Sequence, residues 1–395
     1  MKKLSDRALN ITPSITLSID AMAKQMVAKG IKVINFGVGE PDFDTPQNIA
    51  LAGISAINKG ETRYTPAAGT ESLRQAICEK LEQDNGLSYL PSQIVVSNGA
   101  KHSLYNALLA LCDPGDEVII PTPYWVSYAE MVKMVGAVPV FVHTREEEDF
   151  KVRIEELRAA LTPRTKALIL NSPSNPTGMV YSRDELAPIA ALAIENSLYV
   201  IADEIYEKLV YDEVAHTSIA SLGDEIKNLT IVINGMSKAY AMTGWRIGYT
   251  ASNAALAKAM GSLQSHATSN PNSIAQYASI EALRGSQTTV TGMVKEFAAR
   301  RLSMVELIND IPALSCRLPK GAFYVMANVS QLLGRTIGGE VIADDVVLSR
   351  MLLEKAHVAV VPGSGFGAGQ FLRLSYATSM DNIEEGLRRI RTLLQ

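Results

Sequence analysis

The stretch Ser237-Lys238-Ala239-Tyr240-Ala241-Met242-Thr243-Gly244-Trp245-Arg246 follows directly on the apolar run Leu229-Thr230-Ile231-Val232-Ile233-Asn234. A short continuous apolar run reads as a strand buried on both faces, so the lysine stands just past its C-terminal end. In open α/β sheets that rim is where ligands bind. A lysine there can form an imine with an aldehyde, and an arginine eight residues on can grip a phosphate with its planar fork. Alone, the pair has a plainer reading, because single Lys and Arg residues are mostly solvated surface charges. The neighbouring segments carry the decision.

Working outward, strands and helices alternate from about residue 93 to 252. Ile94-Val95-Val96 precedes a helical pattern over 100–111, and Glu117-Val118-Ile119-Ile120 precedes one near 127–135. Further strands are expected at 138–142, 166–170, 198–202, 229–233 and 246–250, with a helix starting near Ser182 whose Glu185 completes a capping box. This order predicts an α/β fold: a mostly parallel sheet covered by helices on both faces. The last hundred residues differ, with a long charged helix near 287–309, the alternating strand Phe371-Leu372-Arg373-Leu374-Ser375 and an amphipathic helix at 381–394. They predict a smaller α+β domain, residues 289–395, completed by the N-terminal segment 1–45. Residues 46–288 form the large domain.

Composition narrows the function classes. The 395 residues are 47% hydrophobic and 20% charged, with a formal net charge of -4. That balance offers no basic field for nucleic acid and no polybasic patch for a membrane. Asp6, Arg7 and Asn10 interrupt what could become a secretory segment after Met1-Lys2-Lys3, and no apolar run reaches a membrane span. Cys78, Cys112 and Cys316 form no C-x-x-C pair and read as reduced core residues. The expectation is a soluble cytoplasmic protein with no metal site.

Several residues on the expected rim could carry chemistry. Asp203 ends the strand Leu198-Tyr199-Val200-Ile201-Ala202, where a carboxylate is either a helix cap for 204–209 or the partner of a buried cation. Pyridoxal phosphate asks for such a partner at its ring nitrogen, as well as for the lysine and the arginine. Tyr206, three residues on, is placed to reach the ring's 3-oxygen. Asn175 lies in the turn Asn171-Ser172-Pro173-Ser174-Asn175-Pro176-Thr177-Gly178, and Ser97-Asn98-Gly99-Ala100-Lys101 turns from strand to helix as a phosphate cradle would. Trp125 follows the next strand and could stack on a flat ring. Arg373 alternates with leucines, so it is either an edge-strand charge or a fork aimed at a carboxylate. Gly363-Ser364-Gly365-Phe366-Gly367-Ala368 fits a dinucleotide pattern, but a strand rather than a helix is expected to follow, which argues against a nicotinamide site.

Taken together these stretches resemble the fold-type I, class I pyridoxal-phosphate aminotransferases, over essentially the whole chain and in the family's motif order. Asn175 sits in N-P-T-G, Asp203 and Tyr206 in D-E-x-Y, Lys238 and Arg246 in S-K-x(7)-R, and Arg373 in R-x-S-x-A. The resemblance implies that Lys238 is the imine-forming lysine and proton shuttle, Asp203 the partner of the ring nitrogen, and Asn175 and Tyr206 ligands of the 3-oxygen. It implies that Trp125 stacks on the ring and that Gly99, Ala100, Ser237 and Arg246 bind the phosphate. Tyr64 matches a tyrosine sent into the neighbouring subunit's phosphate site, which implies a homodimer with shared active sites. Gly39 matches a glycine beside the substrate carboxylate, and Arg373 the arginine that holds it. Ser14-Ile15-Thr16, Lys101 and Tyr124-Trp125-Val126-Ser127-Tyr128 match the bacterial gamma branch that acts on aspartate, in which Thr16 and Lys101 would meet the distal carboxylate.

The resemblance therefore implies ping-pong transfer of an amino group from L-aspartate to 2-oxoglutarate. Aromatic, alanine-type or prephenate substrates stay open, because few contacts decide specificity. A transcriptional regulator on the same fold would carry a DNA-binding domain ahead of the aminotransferase part, and the resemblance already begins near Thr12 of an acidic chain.

Overall fold

The runs read as strands between 94 and 251 join one seven-stranded sheet. In chain order they are β1 (Ile94–Ser97), β2 (Glu117–Thr122), β3 (Val138–His143), β4 (Thr165–Asn171), β5 (Tyr199–Asp203), β6 (Thr230–Gly235) and β7 (Gly248–Ala251). Their spatial order is β1-β7-β6-β5-β4-β2-β3. From β6 to β3 neighbours run parallel, whereas β7 is antiparallel to both β6 and β1. The two reversals cancel, so β1 ends on the same rim as the parallel strands. β1, β6 and β7 are buried along their whole length, as continuous apolar runs require, while β3 at the sheet edge is largely exposed. The computed structural model describes residues 2–12 and 15–395, so Ser14 lies outside the described residues.

Helices flank the sheet where the sequence places them. Ser182 caps the helix Arg183–Glu195: its hydroxyl accepts from Glu185 N, and the Glu185 carboxylate accepts from Ser182 N at 2.8 Å. A second sheet contains β8 (Ser315–Cys316), β9 (Tyr324–Asn328), β10 (Val361–Pro362) and β11 (Phe371–Ser375), ordered β10-β11-β9-β8 and antiparallel throughout. The N-terminal segment joins it. The short strand Ile34–Asn35 pairs in parallel with Val358–Ala359, and Ser375 N donates to Phe36 O at 2.8 Å. Phe36, Phe297 and Phe323 are fully buried in the core beneath, each contributing roughly 1.5–3 kcal/mol relative to an exposed ring. The helix Thr288–Asn309 ties the parts with consecutive arginines: Arg300 pairs with Asp42 at 2.8 Å and Arg301 with Asp212 at 2.7 Å.

Behind the rim lies a buried cluster of charges. Lys80 Nζ pairs with Glu207, whose other oxygen accepts from Asn85 at 3.0 Å. Glu204 accepts from Ser218 Oγ at 2.6 Å and stands 3.2 Å from His216 Nε2. Burial favours the neutral acid at Glu207, yet Lys80 and His216 outweigh it and hold the carboxyl down at about 2. Burial likewise opposes a charged His216, and Glu204 and Glu207 overturn it, so that its pKa is raised.

Three expectations are corrected or resolved. Residues 205–208 form a turn, not a helix, so Asp203 is not a helix cap; its Oδ1 accepts from Ile205 N at 3.3 Å instead. Cys316 is not a core residue: it lies on the short strand β8 and is half-buried, while Cys78 and Cys112 are buried. The run 363–368 makes the one-turn 3-10 helix Gly363–Phe366 and passes into β11 without the α-helix a dinucleotide site needs. Among the described residues no helix is long and apolar enough to cross a membrane.

Candidate active site

Where the sheet rim faces the C-terminal sheet, a cavity of about 300 Å³ opens. The parallel register places its floor: Asn171 at the end of β4 stands opposite Asp203 at the end of β5, which stands opposite Ile233 in β6. The chain leaves β6 and turns at once, presenting Ser237 and Lys238 to the cavity.

At one end, the turn after β1 leads into the helix Ala100–Leu111, whose first N–H groups lack partners within the helix and face the cavity. Gly99 adopts φ +87°, and a Cβ there would overlap the Arg246 guanidinium, so the turn and the arginine fit only because the residue is glycine. Gly248 in β7 has the same constraint, since its Cβ would overlap the backbone of Gly99 and Ala100. Arg246 itself is exposed and donates to Thr243 O at 2.8 Å. Ala100, Ser237 and Arg246 converge on this corner, an arrangement of donors suited to an anion.

At the middle stands Lys238, whose Nζ donates to Gly39 O. Burial pushes its amine down to about 8, with Arg373 and Arg246 adding to the effect against Glu40. Asp203 is buried and its carboxyl is pushed up to about 6 by that burial, despite hydrogen bonds from Tyr128 and Ile205. Among the described residues neither of its hydrogen-bond donors is charged.

Arg373 on β11 forms the far wall and is 2% exposed. Its Nη1 donates to Asn175 Oδ1 at 3.2 Å and its Nη2 to Gly37 O at 2.7 Å, while its buried Nε has no partner. The edge-strand alternative for this arginine therefore fails. At the mouth, Lys101 Nζ lies 4.7 Å over the Trp125 ring, and Thr16 on the helix Ile15–Ala28 lines the same wall. Partial burial, then the Arg246 charge, lower the Lys101 amine. Tyr64 is apart from all of these: it is 90% exposed and does not line the cavity of its own chain.

Two site residues escaped the sequence reading. Tyr128 is buried and donates its phenol to Asp203 Oδ2 at 2.6 Å, packing edge-on against Trp125. Its position three residues after Trp125 was the available signal. Tyr324 on β9 lines the cavity, with its hydroxyl 3.0 Å from that of Tyr206. The arrangement surrounds one cavity with an anion corner, a depressed lysine, a buried carboxylate and a buried guanidinium.

Residues 31–390 match the sequence model of the family described as aminotransferase class I and II. The chain is 50% identical over 387 residues to the aspartate aminotransferase of Bacillus sp. (strain YM-2), covering 98% of each. It is 47% identical to the probable aspartate/prephenate aminotransferase of Aquifex aeolicus (strain VF5), covering 100% of this chain and 99% of that one. The solved structure of the Thermus thermophilus aspartate aminotransferase with maleate superposes with a TM-score of 0.94 at 42% identity, covering 100% of both chains. The chain belongs to the class I and II aminotransferase family.

Proposed function

We propose that this aminotransferase uses pyridoxal 5'-phosphate to move the amino group of L-aspartate to 2-oxoglutarate, giving oxaloacetate and L-glutamate. One observation carries the reading: Asp203, Lys238 and Arg373 are charged groups gathered around one cavity, and among the described residues none is in an ion pair. Buried charges are costly unless paired, so a molecule bearing complementary groups is called for. Pyridoxal phosphate fits: Gly99, Ala100, Ser237 and Arg246 would hold its phosphate, Asp203 its ring nitrogen and Lys238 its aldehyde carbon. Asn175 and Tyr206 would hold the 3-oxygen and Trp125 would cover the ring. When bound, this cofactor supplies the carbonyl that takes up the amino group and the ring that accepts the electron pair released at the substrate's Cα.

The chain's own residues do the rest. An amine with a pKa near 8 is uncharged in part at neutral pH, so Lys238 can take the proton from the substrate's Cα and would then give it to the carbon that bore the cofactor's aldehyde. Asp203, fixed by Tyr128, keeps a proton on the ring nitrogen by its negative charge. Arg373 holds the α-carboxylate through the edge that Asn175 and Gly37 leave free. Gly39 beside it leaves room for that carboxylate. Lys101 and Thr16 would meet the distal carboxylate, and the maleate in the Thermus structure is a dicarboxylate of this kind.

The exposed Tyr64, with the exposed Leu51, Ile54 and Ile57 of the helix Gln47–Asn58, supports a homodimer in which Tyr64 reaches the partner's phosphate corner. The separate seven-stranded and four-stranded sheets, with the N-terminal strand paired to residues 358–359, support a division into a large domain, 46–288, and a small one from 1–45 with 289–395. A second acceptor, prephenate, is favoured by the name of the Aquifex relative and by its own two carboxylates. The test is direct. Borohydride reduction of the protein with bound cofactor, followed by peptide mapping, is expected to place the label on Lys238, and Lys238→Ala to abolish transamination. A label on another lysine would remove the assignment. Parallel initial-rate lines with aspartate and 2-oxoglutarate, and rates with prephenate in place of 2-oxoglutarate, then fix the substrates.

A further inference from the structure

Tyr324 opens β9 opposite Ser375, and Arg373 lies two residues along β11 from that partner. Residues two apart on a strand share a face, so the Tyr324 ring and the Arg373 side chain are diagonal neighbours. The guanidinium carbon stands 4.5 Å over the Tyr324 ring, and the opposite end of the same side chain reaches the Tyr206 hydroxyl at 3.0 Å. Tyr206 comes from the turn after β5, so a single residue of the C-terminal sheet touches both the arginine of the substrate wall and a tyrosine of the cofactor floor. The Tyr324 phenol also abuts Gly39, where a Cβ would stand 3.0 Å from it, and the Gly39 carbonyl accepts from Lys238.

The two hydroxyls carry two protons, and only one can lie between them. Among the described residues the Tyr324 hydroxyl has no other hydrogen-bond partner than Tyr206. When the Tyr206 proton turns to an acceptor in the cavity, Tyr324 is left to donate behind it, and a phenol that accepts a hydrogen bond is a stronger donor in turn. We infer that Tyr324 is a positioning residue that couples the two halves of the site, its phenol strengthening Tyr206 as a donor to the cofactor's 3-oxygen and its ring fixing the Arg373 guanidinium for the α-carboxylate. This rests on the cofactor reading above. Other charged groups near the two phenols are Asp203, Glu40 and Arg373, with Lys238 over the Tyr206 ring.

The experiment compares Tyr324→Phe, which keeps the ring, with Tyr324→Leu, which removes it. The first readout is the pH midpoint of the visible absorbance of the protein loaded with pyridoxal phosphate. A donor to the 3-oxygen favours its anionic form, so Tyr324→Phe is expected to raise the midpoint by about half a pH unit. Its KM for aspartate should stay within about twofold, because the ring under Arg373 remains. Tyr324→Leu is expected to show the same midpoint and also a KM raised roughly tenfold for aspartate and for a neutral donor alike. In a Tyr206→Phe background, Tyr324→Phe should move the midpoint no further. A midpoint unchanged by Tyr324→Phe, a shift that persists without the Tyr206 hydroxyl, or an unchanged KM in Tyr324→Leu overturns the inference. If the parent protein develops no visible band with the cofactor, the cofactor reading fails first and the inference falls with it.

Discussion

Asp203 and Glu204 are consecutive buried carboxylates with opposite surroundings. Glu204 belongs to a cluster of opposed partners: Lys80 pairs with Glu207, His216 stands 3.2 Å from Glu204 with its pKa raised by the two acids, and Ser218 and Asn85 donate to one oxygen of each carboxylate. Asp203 points the other way, toward a cavity where its partners are neutral donors. The same contrast appears in their titration. Glu207 is held at about 2 by its cations, whereas Asp203 is pushed up to about 6 by burial that outweighs its hydrogen bonds and the weaker pull of Lys238. Neighbouring acids on one turn thus separate two uses of buried charge. The compensated cluster holds the rim in place, and the uncompensated groups are left to be completed by what binds.

The contrast breaks most visibly at Asp203. Asp203→Asn keeps the shape and the Tyr128 contact but removes the negative charge. The expected loss in kcat is several orders of magnitude, with a melting temperature unchanged or higher, because an unpaired buried charge is gone. Stopped-flow or steady-state rates beside a thermal melt check both halves. Activity within a fewfold of the parent would make Asp203 a structural acid like its neighbour.

The converse substitution is Lys80→Met. It leaves Glu207 buried without its cation, and the expected cost is about 3–5 kcal/mol of stability with little change in KM. Lys80→Met combined with Glu207→Gln should recover part of that loss. The pH dependence has a definite sign. Glu207 titrates below its ordinary 4.5, so the stability it adds is full above about 4.5 and drains away as the pH falls toward 2. His216 titrates above its ordinary 6.5, so its contribution is present below that value and lost as the pH rises past its folded pKa. Denaturant midpoints across pH, with and without Lys80, measure the cluster's share.

The smallest effect sharpens the comparison at the cavity mouth. Lys101 is a cation resting over Trp125, and among the described residues it is in no ion pair. Lys101→Ala is expected to lower kcat/KM for aspartate roughly tenfold to a thousandfold and to leave a neutral donor nearly unchanged. The ratio of the two donors, in parent and variant, is the quantity to measure. An unchanged ratio would make Lys101 an ordinary surface charge.

What the sequence disclosed follows from where each residue stands along its own strand. Asn175, Asp203, Lys238 and Arg246 follow strand ends, and rim positions can be read from apolar runs and the turns after them. Arg373 was legible as a strand residue, although only the packed structure shows it buried rather than on an edge. Tyr324 acts through a partner 118 residues away that no local pattern encodes, and for Tyr128 the spacing from Trp125 placed the residue but not its contact with Asp203, 75 residues away. The Lys80 cluster was hidden for the same reason, since residue 80 meets 204–216 only across the fold. Cys316 is only half-buried because its neighbourhood became a short edge strand packed against the core rather than part of it.

The pairing of Ile34–Asn35 with Val358–Ala359 also bears on the order in which the molecule assembles during synthesis. The seven-stranded sheet needs only residues up to 251, so the rim with Asp203 and Lys238 can form while the last third of the chain is still being made. The opposite wall cannot. Arg373 finds Gly37 O across 336 residues, and the N-terminal strand has no partner until residue 358 has emerged. Contacts of such separation form late. The nascent chain therefore carries the sheet that bears Asp203 and Lys238 before Arg373 and its partners have been made, and the N-terminal strand waits unpaired through most of translation. For this protein, the capacity to select an amino acid is the last thing the chain acquires.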